Sequence, residues 1–195
     1  MRRNFNGDVL ANEGQGTDAE TKVSRQRRST DTDLDLLVVS DFAGADVWVN
    51  DGTGGFTAAR EDFFDQRLGL GMAHLVQDLT GDGVADVFMI GMGSPTASRL
   101  DHLNAGRSDF PEYTQLRAPL THGNRLLARS DDVYRQAVFA EPLDWTGWSW
   151  GVTDFDLGND GTRDVYIANG HTTGQTVEDY DPQFWCHDIY HATSE

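Results

Sequence analysis

One phrase, repeated three times, limits what this chain can fold into: an Asp-rich loop running directly into a short apolar stretch. Its fullest form is Asp78-Leu79-Thr80-Gly81-Asp82-Gly83-Val84-Ala85-Asp86, followed by Val87-Phe88-Met89-Ile90. It returns as Asp156-Leu157-Gly158-Asn159-Asp160-Gly161-Thr162-Arg163-Asp164, followed by Val165-Tyr166-Ile167-Ala168. A shorter version, Asp31-Thr32-Asp33-Leu34-Asp35, leads into Leu36-Leu37-Val38-Val39. The closing aspartates stand at 35, 86 and 164, so the phrase recurs after 51 and then 78 residues. Recurrence on this scale marks a repeat architecture, and the longer interval marks an insertion.

The surroundings repeat as well. Residues 69–76 and 148–153 read as strands entering the second and third loops. After the first loop, Ala45-Asp46-Val47-Trp48-Val49-Asn50 alternates as a strand does, and Asp51-Gly52 and Gly54-Gly55 mark a tight hairpin turn. Residues 124–128 and 133–139 read as the equivalent hairpin of the second unit. Residues 94–122 break the rhythm and read as an insertion with a helical turn or two. Four short antiparallel strands per unit of ~40–60 residues is the arithmetic of a β-propeller blade. The expectation is an all-β fold: a partial β-propeller of about three four-stranded blades with Asp-rich calcium loops. The blades span about 31–68, 69–140 and, incomplete, 141–195. Three blades do not close a ring and would leave sheet edges open.

The loops carry the chemistry. In the second, Asp78, Thr80, Asp82 and Asp86 occupy positions one, three, five and nine. Gly83 at position six allows the sharp turn that leaves the Val84 carbonyl at position seven free to point inward. Hard oxygen ligands with several carboxylates suit Ca²⁺, whereas Mg²⁺ demands a tighter octahedron. With no His or Cys in the loops, zinc and copper are disfavoured. The third loop keeps Asp156, Asp160 and Asp164 in register, with Thr162 at position seven. Gly158 replaces the position-three ligand, so a water or Asp154 would have to substitute. The first loop is the poorest. It keeps Asp31, Asp33 and Asp35, but Arg27 and Ser29 fill its first two ligand positions. An EF-hand would need Glu at position twelve and a following helix. Position twelve here is Met89 or Ile167, inside a strand-like run. The alternative without metal is that these Asp and Gly residues are plain turn formers.

Composition agrees. Thirty-two acidic against fifteen basic residues give a net charge of −17. Such a chain is repelled by phosphate backbones, which argues against nucleic-acid binding. No apolar run reaches the ~18 residues that a membrane-spanning helix needs. The lone cysteine, Cys186, permits no internal disulfide. Residues 1–30 are polar, carry +2 and lack periodicity, so they read as disordered. No apolar stretch follows the opening Met-Arg-Arg, so no export signal is visible.

The loop phrases resemble the FG-GAP/VCBS repeat family, calcium-loop β-propellers related to the integrin α-subunit N-terminal domain. Leu70-Gly71-Met72-Ala73 looks like a relaxed form of its Phe-Gly…Gly-Ala-Pro phrase. Trp148-Ser149-Trp150-Gly151, with Asp164-Val165-Tyr166-Ile167-Ala168-Asn169-Gly170-His171, looks more specifically like the cartilage-acidic-protein/ASPIC-UnbV-associated group. The resemblance covers about residues 31–190. It implies a calcium-binding, non-catalytic adhesion or protein-interaction module at a cell surface or outside the cell, with a protein or glycan partner. Family members carry about seven blades and are usually exported, so the chain reads as a fragment whose remaining blades lie elsewhere.

Other groupings weigh less. Cys186, His187 and His191 could meet on a helix face, but no His-Glu-x-x-His is present and packing of the aromatic tail is the commoner fate. His171 reads as a turn histidine. Trp145, Trp148 and Trp150 could line a sugar-binding face, though strand alternation favours core for the last two. No nucleophile elbow, phosphate loop or dinucleotide fingerprint occurs. The rival functional reading is a carbohydrate-active lyase or hydrolase on the same scaffold, for which spacing singles out no acid/base pair.

Overall fold

The computed structural model describes residues 8–11, 21–27, 34–41, 43–105 and 111–171, the first two segments as backbone only. Among them are three antiparallel sheets. The first runs in the order β1 (Asp8–Ala11), β2 (Thr21–Arg27), β3 (Leu34–Ser40), β4 (Gly44–Asn50), β5 (Phe56–Ala58). The second is a meander of β6 (Gly71–Gln77), β7 (Asp86–Gly91), β8 (Arg125–Ser130) and β9 (Val133–Gln136). The third pairs β10 (Trp148–Phe155) with β11 (Asp164–His171). The chain is thus mainly β, as its alternation and Asp-Gly turns dictate.

Local sequence explains each type of strand. In β3, Asp35, Leu37 and Val39 are buried while their neighbours are half-buried, the period of two of a strand covered more fully on one side. β7 reads Asp-Val-Phe-Met-Ile-Gly and is buried throughout. Its lack of alternation reports that both faces are covered. Val87 and Met89 pack with Leu37, Val39, Ala45 and Val47 of the first sheet. Phe88 and Ile90 pack with Leu126 and with Val152, Val165 and Ile167 of the third. The second sheet therefore lies between the other two. Each fully buried aliphatic or aromatic side chain of this kind contributes roughly 1.5–3 kcal/mol.

Two helices lie within residues 94–122. Helix α1 (Pro95–His102) starts behind Ser94, whose Oγ accepts the Ala97 N–H at 3.1 Å, and Pro95 sits where its missing N–H costs nothing. Helix α2 (Glu112–Leu120) is tied to it by the buried Arg117. Its guanidinium donates to Asp101 Oδ1 and to the Ala105 carbonyl, both at 2.7 Å. Leu70, Met72, Met92, Ala97, Leu100 and Leu120 seal the pair onto the second sheet. A short third helix, α3 (Glu141–Asp144), precedes β10.

Within residues 1–30 the described segments are β1 and β2, and β2 pairs with β3 from Thr21↔Ser40 to Arg27↔Leu34. Strand pairing uses main-chain groups, so a polar segment without hydrophobic period can still extend a sheet. The sheets also hold five, four and two strands among the described residues rather than four each. The first gains β1 at its edge, and the third is followed by residues 172–195, which lie outside the described residues.

Candidate functional site: the Asp-rich loops

The second loop joins β6 to β7 and the third joins β10 to β11, and the two share one hydrogen-bond scheme. Asp78 Oδ1 accepts the N–H groups of Gly81 at 2.7 Å and Asp82 at 3.1 Å, and Oδ2 accepts that of Gly83 at 2.8 Å. Asp156 likewise accepts from Asp160 at 3.0 Å and Gly161 at 2.8 Å. Asp82 Oδ1 accepts the Val84 N–H at 2.8 Å, as Asp160 Oδ1 accepts that of Thr162 at 2.9 Å. The Thr162 hydroxyl donates to the same oxygen. Asp86 Oδ2 accepts from Leu79 and Thr80, both at 2.9 Å, and Asp164 Oδ2 accepts from Leu157 at 2.8 Å. Each closing aspartate thus latches the start of its own loop to the first residue of the next strand.

Backbone conformation matches too. Gly83 and Gly161, both at position six, have φ of +84° and +86°, where a side chain would be strained. Position four is also left-handed in both loops: Gly81 at +75° and Asn159 at +52°. Asn is among the few non-glycine residues that tolerate this region.

The electrostatics differ between the loops. Hydrogen bonds hold two carboxyls of the exposed third loop below the usual carboxylate range: the Gly161 N–H first for Asp156, the Thr162 hydroxyl first for Asp160. Asp86 is fully buried, and that burial pushes its carboxyl up against the opposing pull of the Leu79 and Thr80 N–H groups. The negative charge of Asp82 pushes in the same direction as burial.

Among the described residues, no three Asp, Glu, His or Cys side chains come together closely enough to hold one ion. The opening aspartates spend their oxygens on backbone N–H groups of their own loops. A carboxylate nevertheless offers about four lone-pair sites. Asp78 uses three of them, and Asp86 uses only Oδ2. Asp86 Oδ1 and Thr80 Oγ1 are buried with no other partner, and the Thr80 hydroxyl faces the Asp86 carboxyl closely enough to pull its pKa down. Two such oxygens at positions nine and three of one loop, in a donor set of oxygen alone, fit a hard divalent cation.

The remaining expected ligands fall elsewhere. Asp154 does not turn to the place left by Gly158. Its Oδ2 accepts from Gln77 Nε2 at 3.2 Å and lies 3.4 Å from Arg163 Nη1. Asp35 is buried and accepts the Asn50 N–H at 2.9 Å, a tie across the sheet rather than within a loop. Asp31 and Asp33, with Cys186, His187 and His191, lie outside the described residues. Trp148 and Trp150 stack at 6.4 Å between ring centroids; Trp148 packs against the Leu70–Met72 cluster while Trp150 stays exposed.

The Gly158 position makes a quantitative test. A Cβ there would meet Asp160 Oδ2 at 3.4 Å, an ordinary contact. Were the third loop to hold Ca²⁺, Gly158→Asp would supply its missing position-three carboxylate and raise that affinity by about tenfold, roughly 1.4 kcal/mol, in a calcium titration followed calorimetrically. Unchanged affinity would mean that position three does not face an ion.

A polar network that local spacing did not reveal closes one end of the second sheet. His122 Nε2 lies 3.1 Å from Asp144 Oδ2, Gln136 Nε2 donates to Asp144 Oδ1 at 3.1 Å, and buried Arg125 donates to Gln136 Oε1 at 3.3 Å. Burial, then the Arg125 charge, lower the His122 pKa against the pull of Asp144. No helix of the described residues is long and apolar enough to cross a membrane. Comparison of the chain with protein-family models, with curated proteins and with solved structures finds no match.

Proposed function

We propose that this chain is a calcium-binding, non-catalytic interaction module: a β-propeller segment of the FG-GAP/VCBS type that engages a protein or glycan partner at a cell surface. The observation that carries the reading is the shared loop. Two segments 78 residues apart adopt the same left-handed positions and the same carboxylate-to-backbone bonds, despite different residues at four of the nine positions. A bend needs only one such bond; the shared mesh, with the position-three and position-nine oxygens of the second loop buried side by side, suits a cation-binding corner. Asp78, Thr80, Asp82, Asp86 and the Val84 carbonyl would hold the ion in the second loop, and Asp156, Asp160, Asp164 and Thr162 in the third. The cation supplies positive charge among mutually repelling carboxylates. The chain itself supplies loops already folded by their own N–H groups, so little ordering remains to be done on binding.

Because the ion would bind the folded chain alone, its binding adds to folding stability. Loops of extracellular affinity, Kd on the order of 10⁻⁴–10⁻³ M, gain about 1 kcal/mol per site at millimolar Ca²⁺. For a chain of this size each kcal/mol moves Tm by roughly 2–4 °C. Thermal melting should therefore shift upward by several degrees from excess chelator to millimolar Ca²⁺, and less with equal Mg²⁺. Coincident melting curves in chelator and calcium would remove the reading.

A further inference from the structure

Between β5 and β6 the chain leaves the outer edge of β4 and then returns to it. Ala59 donates its N–H to the Val47 carbonyl at 2.8 Å, and Ala45 donates to the Arg67 carbonyl at 2.9 Å. β5 pairs with β4 only over Trp48–Asn50, so between these two clamps residues 59–67 arch past an edge that no strand among the described residues covers. Compact surface loops with clamped ends are frequently functional. Here the arch encloses a cleft of about 450 Å³. That is within the roughly 300–1,000 Å³ of small-molecule sites.

The frame is rigid. Gly44, at φ +80°, lets the strand pass so close to the Arg67 carbonyl that any side chain there would collide with it. Phe63 stacks on Tyr134 at 5.3 Å, and Phe64 is buried in the core between the first and second sheets.

The lining mixes one large apolar surface with balanced polar groups. Trp48 is 41% exposed although it belongs to a strand of the first sheet. Asp46, Arg60, Glu61 and Arg67 add two positive and two negative charges. Arg67 uses Nη1 on Asp46 Oδ1 at 2.9 Å and on the Ala43 carbonyl at 3.5 Å, leaving Nε and Nη2 to donate elsewhere. Asp46 Oδ2 is left to accept. Arg60 is held by the Asp132 carbonyl and by Asp62, which fixes the far wall.

Charge balance gives no pull on an ion, and the net charge of −17 repels acidic ligands. Planar groups that donate and accept side by side suit neighbouring hydroxyls, each of which does both. An exposed indole gives the C–H face of a ring an apolar platform. We propose that the Trp48–Asp46–Arg67 cleft binds an uncharged sugar ring of a glycan. This deepens the interaction-module reading by naming the partner class, and it shares no residue with the calcium loops.

The test is a titration of the full chain with uncharged disaccharides (cellobiose, maltose, chitobiose, mannobiose) and with acidic trigalacturonate, read by tryptophan fluorescence. It is run once in Ca²⁺ and once in chelator. The expected result is saturable, millimolar binding of at least one uncharged sugar, weakened at least tenfold in Trp48→Ala and Arg67→Met but not in Trp150→Ala. Trp48→Phe, which keeps an aromatic face, should retain most of the binding and serves if Trp48→Ala fails to fold. No saturable response to any uncharged sugar, a preference for trigalacturonate, or binding indifferent to Arg67→Met overturns the proposal. Loss of binding in chelator alone would place the sugar at the loops and overturn it too. A sugar response without a calcium shift in Tm would sink the calcium reading and leave the cleft standing.

Discussion

Asp86→Ala should destabilise the chain by about 3–5 kcal/mol, measured by urea unfolding in excess chelator so that no metal contributes. Asp86 is fully buried at the first residue of β7, and its Oδ2 accepts two backbone N–H groups at 2.9 Å. Removing the acceptor strands both donors in a half-buried corner, at about 1–3 kcal/mol each, and leaves a void beneath them. Against a total stability of about 5–15 kcal/mol that is a large fraction. Asp86→Asn separates the roles of shape and charge. The amide oxygen can still take both N–H groups, and the charge that burial disfavours is gone. In chelator Asp86→Asn should therefore stay within about 1 kcal/mol of the parent. In calcium it should lose the second-loop share of the Tm increment. An alanine variant as stable as the parent would show that the latch contributes nothing. An asparagine variant with the full calcium shift would show that position nine is not a ligand.

The parts of this molecule that were readable from the residues are those governed by short-range rules. Asp78 reaches the N–H groups of Asp82 and Gly83 because they lie four and five residues on, so the spacing itself encodes the mesh. The hairpin at 51–55 closes for the same reason, with Asp51 Oδ1 accepting from Thr53 and Gly55. What could not be read was set by main-chain pairing and by distant returns of the chain. β2, whose sequence Thr-Lys-Val-Ser-Arg-Gln-Arg shows no apolar face, joins the sheet through its backbone. The cleft assembles Asp46 and Trp48 with Arg60 and Arg67 through two backbone bonds, and nothing in their spacing announces it. His122 meets Asp144 only because α3 folds back over the start of β8. The failure of Asp154 to serve the third loop is of the same kind: Gln77, on the neighbouring sheet, takes its oxygen instead.

Acid should unfold this chain earlier than its carboxylates alone require, and His74 is the reason. It lies on β6 opposite Met89, hence on the face packed against the first sheet. It is 8% exposed, and neither ring nitrogen has a hydrogen-bond partner. With no compensating charge, burial lowers its pKa from 6.5 to about 4. Because the folded value is the lower one, the unfolded chain binds the extra proton as pH falls below 6.5. Stability is thus fully present above pH 6.5 and is lost progressively down to about 4, by about 3 kcal/mol at ~1.36 kcal/mol per pH unit. The lowered His122 acts in the same sense; the raised Asp86 acts in the opposite one, returning stability as it protonates. The discriminating variant is His74→Leu. It removes two buried, unbonded nitrogens, so it should be at least as stable as the parent at pH 7.5. It should also lose most of the decline between pH 6.5 and 4.5 in urea unfolding series. A His74→Leu chain that keeps the parent's slope would place the acid sensitivity elsewhere, and one that is several kcal/mol weaker at pH 7.5 would mean the ring has a partner in the folded chain.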